Sequence, residues 1–177
     1  MSNPKMPATL ARKGAIPAVL LAALTSPLAF TTLERWEGNV LQVYADNLAG
    51  GLPTYCAGRT DPKAVVGTKL TSDQCQAVNK TTLLEYGYAV LGCVNWDYLT
   101  AQRLIGLTVF AVNVGKDAAC GSQAVRQINA GAVKVGCDLI ARTPDGRPNW
   151  SYAGDVFVQG LQNRRQAERV LCLDGQP

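Results

Sequence analysis

From residue 14 to residue 33 the chain runs without a charge, GAIPAVLLAALTSPLAFTTL. Apolar character over that length predicts a single helix about 30 Å long, enough to span a bilayer core. Residues 1–13 before it are polar and basic. Residues 52–70 are rich in Gly, Pro, Thr and Val and predict a short β-hairpin region. Thr71 and Gln74 then stand at capping-box spacing, so a helix starts there and runs towards Cys93. In residues 100–113, Leu104, Leu107, Thr108 and Ala111 fall at i, i+3, i+4, i+7, while Ile105, Val109, Phe110 and Val112 cover the other faces. A helix apolar all round is buried, which makes this the core helix of a helical lobe. GSQAVRQINAG and GAVKVGCDLIARTPDG predict two further short helices with Gly breaks, and Pro144-Asp145-Gly146 a turn.

A chain of 177 residues supports one domain with a sizeable core, plus an appendage. There is no histidine, which excludes Ser-His-Asp and Cys-His catalysis and any His-ligated metal site. The net charge of +4 is misleading about partners. Lys5, Arg12 and Lys13 precede residue 14, leaving 14 basic against 13 acidic side chains in the body. That balance gives no basic face for nucleic acid. Six cysteines, all after residue 55 and without a CxxC pair, fit three disulfides in an oxidising compartment better than six buried thiols in a cytosolic enzyme.

Candidate chemistry concentrates in Glu34–Thr60, ERWEGNVLQVYADNLAGGLPTYCAGRT. Glu37 stands beside Trp36 and before Gly38, Asp46 follows nine positions on, and Thr54 comes after a Gly-rich turn. A carboxylic acid, a second carboxylate and a hydroxyl joined by a turn are the parts that cleave a glycosidic bond. Glu34 lies outside that spacing. The run EG-x-x-L-x-x-Y-x-D, a Gly turn, then P-T-x-C-x-G-x-T resembles the active-site segment of the phage-type lysozymes, glycoside hydrolase family 24. Glu37, Gly38, Leu41, Tyr44, Asp46, Gly50, Pro53, Thr54, Cys56, Gly58 and Thr60 carry the likeness. There are two departures: seven residues separate Asp46 from Thr54 where the family usually has five, and Arg59 stands where it commonly has His.

The resemblance implies roles. Glu37 is the general acid, with Trp36 and Val40 disfavouring its carboxylate. Asp46 is the ionised carboxylate that orients the water, and Thr54 is its hydroxyl partner, as in the inverting route. No metal or organic cofactor is needed. The likeness continues through Phe110–Gly115 to the closing stretch GLQNRRQAERVLCLDG, carried there by Arg164, Arg165 and Glu168. Those three predict ion pairs on a helix surface with some buried stems rather than catalysis. Cys137 and Cys172 resemble paired cysteines of disulfide-containing relatives, and a Cys56–Cys75 bridge would tie the active-site lobe to the helix after it. Cys93 and Cys120 remain as the third pair. Sequence alone leaves fifteen pairings open.

Three readings compete for residues 14–33. A cleaved signal peptide has the right charges, but cleavage after Ala29 would put Pro27 at the −3 position. A buried core helix leaves the basic lead-in unexplained. The third is a signal-anchor able to leave the membrane, similar to the signal-arrest-release segments of some phage endolysins of this family. The third is preferred.

The expected fold is α+β and lysozyme-like: a small β-hairpin lobe and a larger helical lobe across a cleft, preceded by an N-terminal membrane helix. The expected divisions are a cytoplasmic lead-in over 1–13, a signal-anchor over 14–33 and a catalytic domain over 34–177. The implied function is an endolysin, a muramidase acting on peptidoglycan so that the host lyses. Its implied partners are peptidoglycan, the inner membrane through residues 14–33, the export machinery and, functionally, a holin. It is expected to be a monomer at the inner membrane facing the periplasm, later released there. The rival reading is a membrane-tethered, non-catalytic peptidoglycan-binding module. A lytic transglycosylase needs no water nucleophile, and Asp46 argues against it.

Overall fold

The computed structural model describes residues 15–47 and 50–175. The expected lead-in over 1–13, and Gly14, lie outside the described residues. The chain divides into two compact units. One is Thr25–Glu85; the other joins the described residues up to Leu24 with those from Tyr86 on.

The single helix expected over 14–33 is instead two, α1 (Ala18–Leu24) and α2 (Pro27–Glu37). Hydropathy does not register what proline does. Pro27 has no N–H to give the preceding turn, and its ring disfavours a helical residue before it. Ser26 is accordingly extended, and its hydroxyl accepts from Ala29 N at 3.3 Å, so the break becomes a capped helix start. Among the described residues no helix is long and apolar enough to cross a membrane.

In the Thr25–Glu85 unit, α2 buries Ala29 and Leu33 and ends at Gly38. Gly38 takes φ +76°, ψ −176°, a region open essentially to glycine alone, and donates its N–H to Glu34 O at 2.9 Å. Three antiparallel strands come next in the order β1 (Val40–Asp46), β2 (Leu52–Cys56), β3 (Arg59–Thr60). The sheet therefore begins at Val40, before the 52–70 region where composition suggested it. Two extra residues in β1 between Val40 and Tyr44 are irregular, and there the other edge of β1 bonds to residues 67–70. Beyond the sheet lies α3 (Ser72–Cys93), whose start is the reciprocal capping box expected: Gln74 N donates to Thr71 Oγ1 and Thr71 N to Gln74 Oε1. Cys75 in its first turn is bonded to Cys56.

The other unit is helical. α4 (Ala101–Val114) is buried from Arg103 to Ala111, as its all-round apolar pattern predicts. Against it lie α1, α5 (Lys116–Cys120) and α8 (Gln159–Cys172), while α7 (Val133–Ala141) packs on α8 and α6 (Gln123–Asn129) packs on α7. A short hairpin unforeseen from sequence, β4 (Tyr152–Ala153) and β5 (Val156–Phe157), precedes α8. The turn at residues 144–146 is present, with Gly146 N bonded to Thr143 O. The remaining expected disulfides, Cys93–Cys120 and Cys137–Cys172, both lie here. With sequence separations of 19, 27 and 35 in chain order, the three bridges stabilise by roughly 3–4 kcal/mol each in the chain-entropy picture. Beside Cys137, Asp138 pairs with Arg169 of α8 at 2.7 Å and Lys134 at 2.9 Å. Partial burial opposes its charge, but hydrogen bonds from Lys134 and Arg169 outweigh this and hold its carboxyl below the usual range.

α7 passes close over the backbone of α6 at Gly136. A Cβ there would lie 2.6 Å from Ala124 O and 2.9 Å from Ile128 N, both backbone atoms of α6. Gly136→Ala is therefore expected to push α6 and α7 apart and cost about 1–3 kcal/mol, despite alanine's better helix propensity. A melting temperature equal to the parent's would show that the helices slide freely.

Candidate active site

All three expected site residues fall in the Thr25–Glu85 unit. Glu37 is the last residue of α2, and Gly38 turns the chain there into β1. The helix end thus presents the carboxylate where the sheet begins. The turn between β2 and β3 approaches it at Gly58, where an added Cβ would lie 3.5 Å from Glu37 Oε2. That distance is an ordinary van der Waals contact, so it is the φ of +71° that calls for glycine at this turn beside Glu37. Of the two expected apolar neighbours, Trp36 is half-buried with Arg35 over its ring, and Val40 is 41 % exposed.

Strand register decides the relation of Asp46 to Thr54. Tyr44 pairs with Thr54 and Asp46 pairs with Leu52. Residues directly opposite share a face, and so do residues two apart on one strand. Asp46 and Thr54 are therefore on one face of the hairpin as a diagonal pair, with Cα atoms roughly 7–8 Å apart by ordinary strand geometry. Asp46 and Leu52 are the last paired residues before the connection between the strands. Gly50 and Gly51 in that connection have φ of +68° and +81°, and Gly51 N closes it onto Asp46 O at 2.7 Å. Asp46 is half-buried at the strand end. Thr54 is buried at the centre of the sheet, and its hydroxyl donates to Leu52 O at 3.1 Å.

Around this site α3 is joined to the β2–β3 turn at three points. Cys75 is bonded to Cys56, Asn79 Oδ1 accepts from Ala57 N at 3.1 Å, and Glu85 pairs with Arg59 at 3.1 Å. Arg59, the departure from the resembled pattern, is thus occupied by an ion pair with the helix. Asn79 was not singled out from sequence, and Glu34 was set aside as lying outside the motif spacing. The available signal was an amide four residues after Cys75, on the helix face that the disulfide turns inward.

Arg164, Arg165 and Glu168 belong to the helical unit and form a buried cluster, not the expected helix surface. Glu168 Oε1 accepts from Arg164 at 3.0 Å, and its Oε2 meets Arg165 Nε at 3.0 Å. Arg164 also donates to Val109 O and Arg165 to Asn113 Oδ1, with the Arg165 guanidinium over the Phe110 ring. Charge-rich sequence reads as solvated, and only the α4 partners reveal that these charges face inward. Among the described residues no group of His, Cys, Asp and Glu is placed to hold a metal ion.

Comparison with known proteins shows the family. Residues 34–168 match the family described as Phage lysozyme. The SAR-endolysin of Enterobacteria phage PA-2 is 32 % identical over 126 residues, covering 71 % of this chain and 72 % of that protein. The SAR-endolysin of Bacteriophage PS119 is 31 % identical over 139 residues, covering 78 % and 77 %. Among solved structures, the crystal structure of a P22 lysozyme mutant is 27 % identical with a TM-score of 0.70, covering 84 % of this chain and 97 % of that one.

Proposed function

The chain belongs to the phage lysozyme family, is a lysozyme-type glycoside hydrolase and an endolysin, and we propose that Glu37, Asp46 and Thr54 carry its chemistry. The bond cleaved is the β-1,4 linkage between N-acetylmuramic acid and N-acetylglucosamine in peptidoglycan. The observation that carries the assignment of residues is the register of β1 on β2, which keeps Asp46 and Thr54 diagonal on one face.

Glu37 donates its proton to the glycosidic oxygen as the bond to the anomeric carbon breaks. The Thr54 hydroxyl proton is committed to Leu52 O, so Oγ1 meets a water as an acceptor. The Asp46 carboxylate is an acceptor too. A water between them gives one proton to each and turns its lone pair outward, towards the anomeric carbon on the face opposite Glu37. As it attacks, Asp46 takes a proton, and the sugar leaves with inverted configuration.

Release of reducing ends from purified peptidoglycan tests hydrolysis against a binding module, which releases none. In that assay Asp46→Asn is expected to lose about 10²–10⁴-fold, the range of a general base. Thr54→Ala should lose about tenfold, for one hydrogen bond to the water. A Thr54→Ala enzyme as fast as the parent would remove Thr54 from the site. Retention of anomeric configuration in the first product would replace the inverting route with a covalent one.

The same proposal extends to location. Three disulfides suit the periplasm, and the two phage relatives are named SAR-endolysins. Ile16, Val19, Leu20, Leu21, Leu24, Leu28, Phe30 and Leu33 together favour insertion by only roughly 2–5 kcal/mol, before prolines and hydroxyls subtract from it. Leu20, Ala23, Leu24, Ala29 and Leu33 are also core residues of the folded units. A segment so weakly held by lipid and so well used by the fold is an anchor that exports the protein, holds it at the inner membrane and lets go when a holin collapses the potential. Replacing Thr25, Ser26, Thr31 and Thr32 with Leu should trap the protein in the membrane fraction and delay lysis after depolarisation. A soluble parent protein beginning near Phe30 by mass spectrometry would establish cleavage and end the release mechanism.

A further inference from the structure

We propose that Asn79 is a positioning residue for the catalytic acid, holding the helix that carries Glu37 and the turn beneath Glu37 in one fixed relation; this rests on Glu37 being the acid. Asn79 is fully buried in α3. Its Oδ1 accepts from Ala57 N at 3.1 Å, and its Nδ2 donates to Glu34 Oε1 at 3.1 Å. Glu34 stands one helical turn before Glu37 on α2 and also accepts from Asn39 at 3.3 Å. Ala57 immediately precedes Gly58, the residue whose added Cβ would meet Glu37 Oε2. One amide therefore reaches the turn through the backbone of Ala57 and α2 through the side chain of Glu34.

The neighbouring links do not duplicate it. Cys75–Cys56 fixes the turn to α3 without touching α2 through the bridge itself, and Arg59–Glu85 is about 40 % exposed on both sides. The position also needs an amide in particular. A backbone N–H requires an acceptor on one side, and the Glu34 carboxylate requires a donor on the other. Leucine at 79 offers neither, and aspartate would set a carboxylate against Glu34. Displacing an acid by about 1 Å costs on the order of 10²-fold in rate, whereas the sugar contacts made elsewhere are untouched.

The test compares Asn79→Leu, Asn79→Asp and the exchanged pair Glu34→Gln/Asn79→Asp, each purified with its three disulfides and assayed on soluble peptidoglycan fragments. Both single variants should lose about 10–100-fold in kcat with KM within about threefold. In the exchanged pair the amide now at position 34 donates to the carboxylate now at position 79, and that carboxylate accepts from Ala57 N. Its kcat should therefore return to within about threefold of the parent. A role in stability alone would lower the melting temperature without changing the kcat of folded enzyme. Parental kcat in Asn79→Leu, or an exchanged pair as slow as Asn79→Asp, overturns the positioning role; if Asn79→Leu does not fold, the two variants with aspartate decide. Glu37→Gln separates the premises. If it is active, the acid assignment has failed; if it is inactive while Asn79→Leu is parental, only the positioning role has.

Discussion

Glu37→Gln is expected to lower reducing-end release from peptidoglycan by about 10²–10⁴-fold, the contribution of a positioned general acid, while its melting temperature stays near the parent's. Glutamine keeps the length and shape of the side chain at the end of α2, so the Gly38 turn and the sheet after it have no reason to move. The substituted amide cannot give a proton to the leaving oxygen, and the bond must then break towards an unprotonated alkoxide. Binding should survive, because recognition of the glycan does not require the proton. A pull-down on insoluble peptidoglycan that retains the variant, beside an assay that finds little turnover, would match this account. Full turnover by Glu37→Gln would move the acid to another residue. The Asp46→Asn enzyme supplies the contrast: it keeps the acid and loses the oriented water, so an activated substrate with a good leaving group should not rescue it, whereas it should partly rescue Glu37→Gln.

Legibility in the sequence obeys a physical rule. Glu37, Gly38, Asp46, Thr54 and Gly58 could be singled out from sequence because each has chemistry or backbone geometry that few residue types supply. Gly38 at φ +76°, ψ −176° is such a position. The diagonal relation of Asp46 to Thr54 was not legible, because strand register depends on which residues pair, and seven intervening residues admit several pairings. The pairing of Asp46 with Leu52 resolves it. Likewise α4 was evident from its all-round apolar faces, and the start of α3 from its capping box. The stretch 14–33 misled because hydropathy sums side chains, while Pro27 acts on the backbone and Ser26 caps the helix after it. Asn79 escaped for a related reason. A polar residue on a helix reads as solvent-facing until its partners, Ala57 N and Glu34, are known.

Glu168→Gln is expected to destabilise the fold by about 3–5 kcal/mol, the cost of breaking a buried ion pair by removing one partner. For a chain of this size that corresponds to a fall of roughly 6–20 °C in melting temperature. Glu168 is the carboxylate facing Arg164 and Arg165, with all three side chains at most 5 % exposed. It brings both guanidiniums against α4, where they meet Val109 O and Asn113 Oδ1. Gly106 lets the two helices come this close, since a Cβ there would lie 2.9 Å from Glu168 O. Glutamine fills the same volume, so packing is kept, but two positive charges remain in the interior with their counter-charge gone. If the loss is one of charge, removing the charges together should relieve it. The triple variant Arg164→Met, Arg165→Met, Glu168→Leu replaces the network with apolar volume and should melt well above Glu168→Gln and close to the parent. Val109 O can remain satisfied within its helix, and the exposed Asn113 can turn to water. A triple variant as unstable as the single one would mean that the cluster's hydrogen-bond geometry, rather than its charge balance, holds α8 on α4. A Glu168→Gln protein that melts with the parent would show that the two arginines find other compensation.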